Sequence, residues 1–210
     1  MKDLSTYSIP TQRALQRLDL LTRINENKAE GLRKTATSPV RHKVFVSYHA
    51  ADAVEVVDFV EKYDDVFIAR AIGMEEDGSD IIDSTNVDYI RRTIREKYLK
   101  DSTVTLVLVG ACTWARKFVD WEIYSSLRSN PSPNGLLAVQ LPSTSTSAIA
   151  PGRLELNRPK LGKEGYADYY VAPTSAAVLR SLIQSVFDAR TTKRDLIKLG
   201  GDLRERNSSC

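Results

Sequence analysis

The run Thr103-Val-Thr-Leu-Val-Leu-Val109 carries no charge and is β-branched or aliphatic at every position. A strand of that composition is covered on both faces, as in the middle of a parallel sheet. It leads directly into Gly110-Ala-Cys112 and then into residues 116–128, whose apolar positions recur at helical spacing. Strand, tight turn and helix in that order specify an α/β sheet, in which ligands sit just past the carboxyl ends of the strands. One carboxylate, Glu122, falls in the early turns of that helix between Trp121 and Ile123. Two readings stand. The helix macrodipole favours a solvated glutamate there. The neighbours Phe118, Trp121 and Ile123 instead favour a carboxylate in an apolar crevice, where it is costly unless paired or put to use.

The rest of the body alternates in the same way. Residues 43–48 read as a strand and 51–63 as a helix, with 66–72 a second strand. An acidic loop follows, and then a helix over about 86–99. After the strand 103–109 and helix 116–128 come a strand over 135–141, a Ser/Thr/Pro/Gly-rich insertion at 142–166 and a short strand at 169–171. A helix over about 174–190, capped by Thr174, closes the series. Five strands separated by helices predict a doubly wound, flavodoxin-like parallel sheet. The strands at 43–48 and 103–109 are expected at its centre, and the strand containing Arg70 at an edge. Leu15, Leu18, Leu21 and Ile24 predict a helix within 10–34, ended by the Thr35-Ala-Thr-Ser-Pro39 linker. A lone helix of that length is marginal in water, so it is expected to pack on the body or on a second copy. The organisation is therefore 1–40 as extension and linker, 41–190 as one domain, and 191–210 as a polar tail.

Charge is unevenly spread. The net +3 of the 210 residues divides into +4 over 1–42, −3 over 43–190 and +2 over 191–210. A slightly acidic body argues against a nucleic-acid groove, which needs clustered Lys and Arg. No apolar run reaches the roughly 20 residues of a membrane span, and the first residues lack a secretory apolar stretch. Two cysteines, Cys112 and Cys210, form no disulfide framework, and a cytoplasmic location is expected.

Several motifs invite chemistry. Ser47-Tyr48-His49 and Asp52 follow the first strand, where they either line the crevice or cap and flank the next helix. Cys112 occupies a strand-to-helix turn, the place of a nucleophile with His49 as base, although a small packed cysteine is the default. The acidic loop 75–83 fails as a calcium loop, because a register with Gly78 sixth puts Gly73 first and Ser84 last. The chain has neither Gly-x-Gly-x-x-Gly nor a Walker lysine, and the first strand lacks the paired acids of a phospho-acceptor site.

Three pieces in order carry a resemblance: Lys43-VFVSYHAAD52, Asp83-STNVDYIRRTIREKYLKDSTVTLVLVG110 and Thr113-WARKFVDWEI123. Together they resemble TIR-like domains, in particular the ThsB-type branch of the bacterial Thoeris anti-phage defence system. The resemblance covers about 43–130 in sequence and 131–190 in architecture. It implies an enzyme that cleaves the nicotinamide–ribose bond of NAD⁺, with NAD⁺ as substrate and no separate cofactor or metal. Glu122 matches the catalytic glutamate, and Phe45, Ser47, Tyr48, His49, Asp83, Trp114, Phe118 and Trp121 are the implied substrate-binding residues. Phe118 stands where many members have tryptophan, which leaves Trp121 or Trp114 as the stacking surface. The resemblance further implies self-association through the 72–84 loop, helped by the N-terminal helix, and a nucleotide product read by a separate effector. The alternative it leaves open is a non-catalytic interaction and assembly module.

Overall fold

The computed structural model describes residues 8, 10–11, 13–14, 16–18, 20–21, 40–71, 89, 93–94, 96, 99–128, 132–144 and 148–210. Five strands, β1 (Lys43–Ser47), β2 (Ile68–Ala71), β3 (Val104–Val109), β4 (Gly135–Gln140) and β5 (Asp168–Tyr170), form one sheet in the order β2-β1-β3-β4-β5. Every pairing is parallel. This is the doubly wound, flavodoxin-like order, and its direction of winding reverses between β1 and β3. The edge and centre strands lie where their compositions put them. β2, with Arg70, is at one edge, while β1 and β3 are internal.

The two faces of the sheet follow the pleat. Val44, Val46, Leu106, Leu108, Leu137 and Val139 pack on one side against α1 (Ala53–Lys62) and α4 (Ala176–Thr192). Val107, Val109, Leu136 and Ala138 pack on the other against Val119, Ile123 and Leu127 of α2 (Lys117–Leu127) and Leu154 of α3 (Gly152–Asn157). Val119, Ile123 and Leu127 are four residues apart, so one stripe of α2 rests on the sheet. Each such fully buried side chain contributes about 1.5–3 kcal/mol. Gly135 sets the approach of α4, since a Cβ there would lie 2.1 Å from the Val186 carbonyl oxygen.

Three regions differ from their sequence reading. The cap of α4 is Ser175, whose hydroxyl accepts from the Val178 amide, so the helix starts one residue later than a Thr174 cap would place it. The insertion at 142–166 contains α3, in which Arg153, Leu154 and Asn157 are buried. Its brevity hides it from a periodicity argument. The stretch 191–210, expected to be solvated, turns back across α2 and α3. There Asn157 Nδ2 donates to the Lys198 carbonyl at 2.8 Å, and the Lys198 amide donates to Asn157 Oδ1 at 2.8 Å.

At the other end, Ala14, Leu18 and Leu21 join the cluster around α1, and Arg17 pairs with Glu61 at 2.6 Å. The described part of the predicted N-terminal helix therefore packs on the body. Leu15, most of the 86–99 helix and the whole 72–84 loop lie outside the described residues. Among the described residues no helix is long and apolar enough to cross a membrane.

Candidate active site

β1 ends at Ser47, in register with Val107 of β3, so its hydroxyl emerges beside the reversal in strand order. After β3 the chain runs through a short 3-10 turn, Thr113–Ala115, before α2 begins. The stripe that fixes α2 to the sheet leaves Glu122, one position before Ile123, turned toward the end of β1. Ser47 Oγ donates to Glu122 Oε2 at 2.6 Å, and both residues are buried. The Ser126 hydroxyl donates to the Glu122 carbonyl oxygen at 2.8 Å and fixes the same helical turn. Glu122 is thus held by an element from another part of the chain. The solvated-glutamate reading does not apply.

The remaining predicted positions divide by burial. Tyr48 and His49 are half-buried just past the strand exit. Burial pushes the His49 pKa below its ordinary 6.5, and the nearby Arg116 charge pushes the same way, so the neutral imidazole is favoured. Phe118 is 39% exposed and meets Trp121 edge-on at 5.3 Å between ring centroids. The Lys117 ammonium stands 5.3 Å from both ring centres. Phe45 is fully buried with Ile94, Leu99 and Trp121. It backs the site and presents no face to a ligand. Trp121 is also buried, and its indole N–H donates to the Arg204 carbonyl oxygen at 2.8 Å. Asp83 lies outside the described residues.

Asp52 is a position whose role sequence reasoning missed. It stands at the helix cap position, yet its side chain makes no cap hydrogen bond. The carboxylate instead lies against the exit of β3, where a Cβ on Gly110 would come within 2.2 Å of Asp52 Oδ2. Thr113 Oγ1 accepts from the Gly110 amide at 2.9 Å and faces Asp52 Oδ2 at 3.4 Å. Burial raises the Asp52 pKa; the Thr113 hydrogen bond opposes this, and Glu55 adds to it. The signal available in sequence was Gly110 itself, a small residue directly after a central strand.

Arg116 was also missed. Its Nε donates to the Cys112 carbonyl oxygen at 3.2 Å and its Nη2 to the Ser208 carbonyl oxygen at 3.1 Å. Cys112 is no free turn residue. It forms a disulfide with Cys210, with the two Cα atoms 5.5 Å apart. A separation of 98 residues conceals that proximity, which depends on how 197–210 folds back. The bond removes the thiol-nucleophile reading in this state. A cavity of about 670 Å³ near Ser102, Ser125, Asn134 and Arg190 opens at the starts of β3 and β4, the opposite end of the sheet from Ser47.

A buried Ser–Glu contact thus stands at the reversal point of a five-stranded parallel sheet. Compared with known families, residues 45–146 match the one described as Thoeris protein ThsB, TIR-like domain. Over these residues, just under half of the chain, it is similar to that family. The matched span takes in β1 from Phe45 onward and all of β2, β3, β4, α1 and α2, and with them Ser47, His49, Asp52, Glu122, Phe118 and Trp121. β5, α4 and residues 197–210 lie beyond it. A search among curated proteins found no match.

Proposed function

We propose that this TIR-like domain cleaves the bond between nicotinamide and ribose in NAD⁺, with Glu122 as the catalytic carboxylate. The observation that carries the reading is the 2.6 Å bond from Ser47 Oγ to Glu122 Oε2. It fixes a carboxylate at the strand exits, where open α/β sheets bind ligands. Cleavage of the glycosidic bond passes through an oxocarbenium-like state, and a fixed carboxylate stabilises the positive charge that develops on the ribose. Nicotinamide takes the bonding electron pair and leaves as a neutral molecule, so no separate acid is required. Attack by water, with loss of its proton, gives ADP-ribose. Attack by an adenine nitrogen of the same molecule gives a cyclic isomer.

The other groups have supporting roles in this reading. Neutral His49 and Tyr48 flank the ribose or phosphates, and the exposed face of Phe118 stacks on a ring. The similarity to a Thoeris family supports a defence setting for the domain. The product then acts as a signal for a separate effector in a bacterial cytoplasm, and activity is coupled to assembly through the 72–84 loop. The test is nicotinamide release from NAD⁺, followed by chromatography under conditions that promote assembly. No release from the assembled protein sinks the enzyme and leaves a non-catalytic assembly module.

A further inference from the structure

Residues 204–210 lie across the aromatic part of the candidate site. The Arg204 carbonyl accepts from the Trp121 indole at 2.8 Å, and the Arg204 guanidinium stands 6.0 Å from the Trp114 ring centre. Asn207 Oδ1 accepts from the Lys117 amide at 2.9 Å, which occupies an N–H at the start of α2. The Ser208 amide donates to the Ala115 carbonyl at 2.9 Å, and its own carbonyl takes the Arg116 side chain. Trp114 and Trp121 are the chain's only tryptophans, and the segment engages both. They are also the stacking surfaces that the sequence offers in place of Phe118.

The segment has two kinds of anchor. On its inner side Asp120 pairs with Arg153 at 2.9 Å, and both are buried. Asp120 Oδ2 accepts from the Arg204 amide at 3.2 Å, and Arg153 Nη2 donates to the Asp202 carbonyl at 3.3 Å. On its outer side the anchors are exposed or half-buried hydrogen bonds and one covalent bond, Cys112–Cys210. Cys210 is exposed, so an external thiolate can reach the bond, while Cys112 is half-buried. Exposed disulfides are the labile, regulatory class. Surface hydrogen bonds of this kind each contribute little, because water replaces them.

We propose that the Cys112–Cys210 pair is a redox-responsive modification site, whose oxidised form latches 204–210 over Trp114 and Trp121 and whose reduction opens that surface. The reductant is a dithiol of the thioredoxin class. One of its thiolates attacks Cys210 Sγ, forming a mixed disulfide, and Cys112 Sγ leaves as a thiolate that takes up a proton. The second reductant thiol then attacks the mixed disulfide and frees Cys210. Two electrons and two protons pass to the protein, and the reductant becomes a disulfide. The Arg153 anchor on Asp202 remains, so 204–210 swings outward from there while the helices keep their places. As a gate on NAD⁺ cleavage this rests on the function proposed above.

Three readings on the 210-residue chain, oxidised or treated with dithiothreitol, test it. Amide exchange at 117–121 and 204–210 is expected to speed by at least about tenfold on reduction, with β3 and β4 unchanged. Acrylamide quenching of the two tryptophans is expected to rise in parallel. A Cys210→Ser variant is expected to show the open values with and without dithiothreitol. Unchanged exchange and quenching overturn the latch, and so does an equal rise across the whole sheet, which means unfolding. Nicotinamide release that is present and equal in both states overturns the gate. Local opening with no release in either state keeps the latch and removes the enzyme reading alone.

Discussion

Ser47 and Glu122 are 75 residues apart in sequence and 2.6 Å apart in space, hydroxyl to carboxylate, with both side chains buried. The contact joins the last residue of β1 to the helix that follows β3, and so bridges the reversal in strand order. Removing the hydroxyl leaves a buried carboxylate short of a donor. Ser47→Ala is therefore expected to destabilise the protein by about 1–3 kcal/mol. Urea unfolding measures this, and an unchanged midpoint shows that the bond is not maintained in solution.

The position of the other carboxylate gives a steric prediction. Gly110→Ala places a methyl group where Asp52 Oδ2 now lies, at an expected cost of about 1–3 kcal/mol. Asp52→Ala removes the obstacle, so the double variant should lose less than the sum of the two single losses. Additive losses in the unfolding cycle contradict the close approach.

His49 gives a pH dependence. Its folded pKa lies below the ordinary value of 6.5, first through burial and then through Arg116. As pH falls below about 6.5, the unfolded chain takes up the proton before the folded one does, so stability declines with pH in that window. Above it the contribution is fully present. Arg116→Gln is expected to move the His49 titration toward higher pH, as read from its ring-proton shifts by NMR. A titration unchanged by the substitution means that Arg116 does not act on the ring.

The buried pair under residues 202–204 has a larger effect. Asp120 and Arg153 are each nearly inaccessible, and the amide of Arg204 shares Asp120. Asp120→Asn or Arg153→Met leaves one buried charge without its partner, at an expected cost of about 3–5 kcal/mol. The same variants are expected to loosen residues 202–210. A loss below about 1 kcal/mol, the size of an exposed pair, contradicts this placement.

How much of this was legible in the sequence depends on the range of the interaction. β3, β4 and α2 could be read directly, because strands covered on both faces and a helix with one buried stripe leave periodic marks. So could Glu122 as a suspect, from its apolar neighbours and the family pattern. The turn of Asp52 toward Gly110 was hidden, since Asp at a helix start already has a local explanation as a cap. The Cys112–Cys210 link was hidden because 191–210 is mostly polar and carries no periodicity; it docks through scattered hydrogen bonds, among them those to Asp120, Arg153 and Asn157, and through Leu196, Ile197 and Leu203. Phe45 shows the limit of a carried-over pattern. Its register in β1 points it into the core with Trp121, and a motif alone does not say which face of a strand is wet.

The most direct measurement compares nicotinamide release from NAD⁺ by the wild-type protein and by Glu122→Gln, both fully reduced and assembled. Glutamine keeps an oxygen for the Ser47 hydroxyl and loses the negative charge, so the fold is expected to persist with matching unfolding midpoints. The account predicts release by the wild type and a loss of at least about 100-fold in the variant. Equal release by the two proteins contradicts the assignment of Glu122.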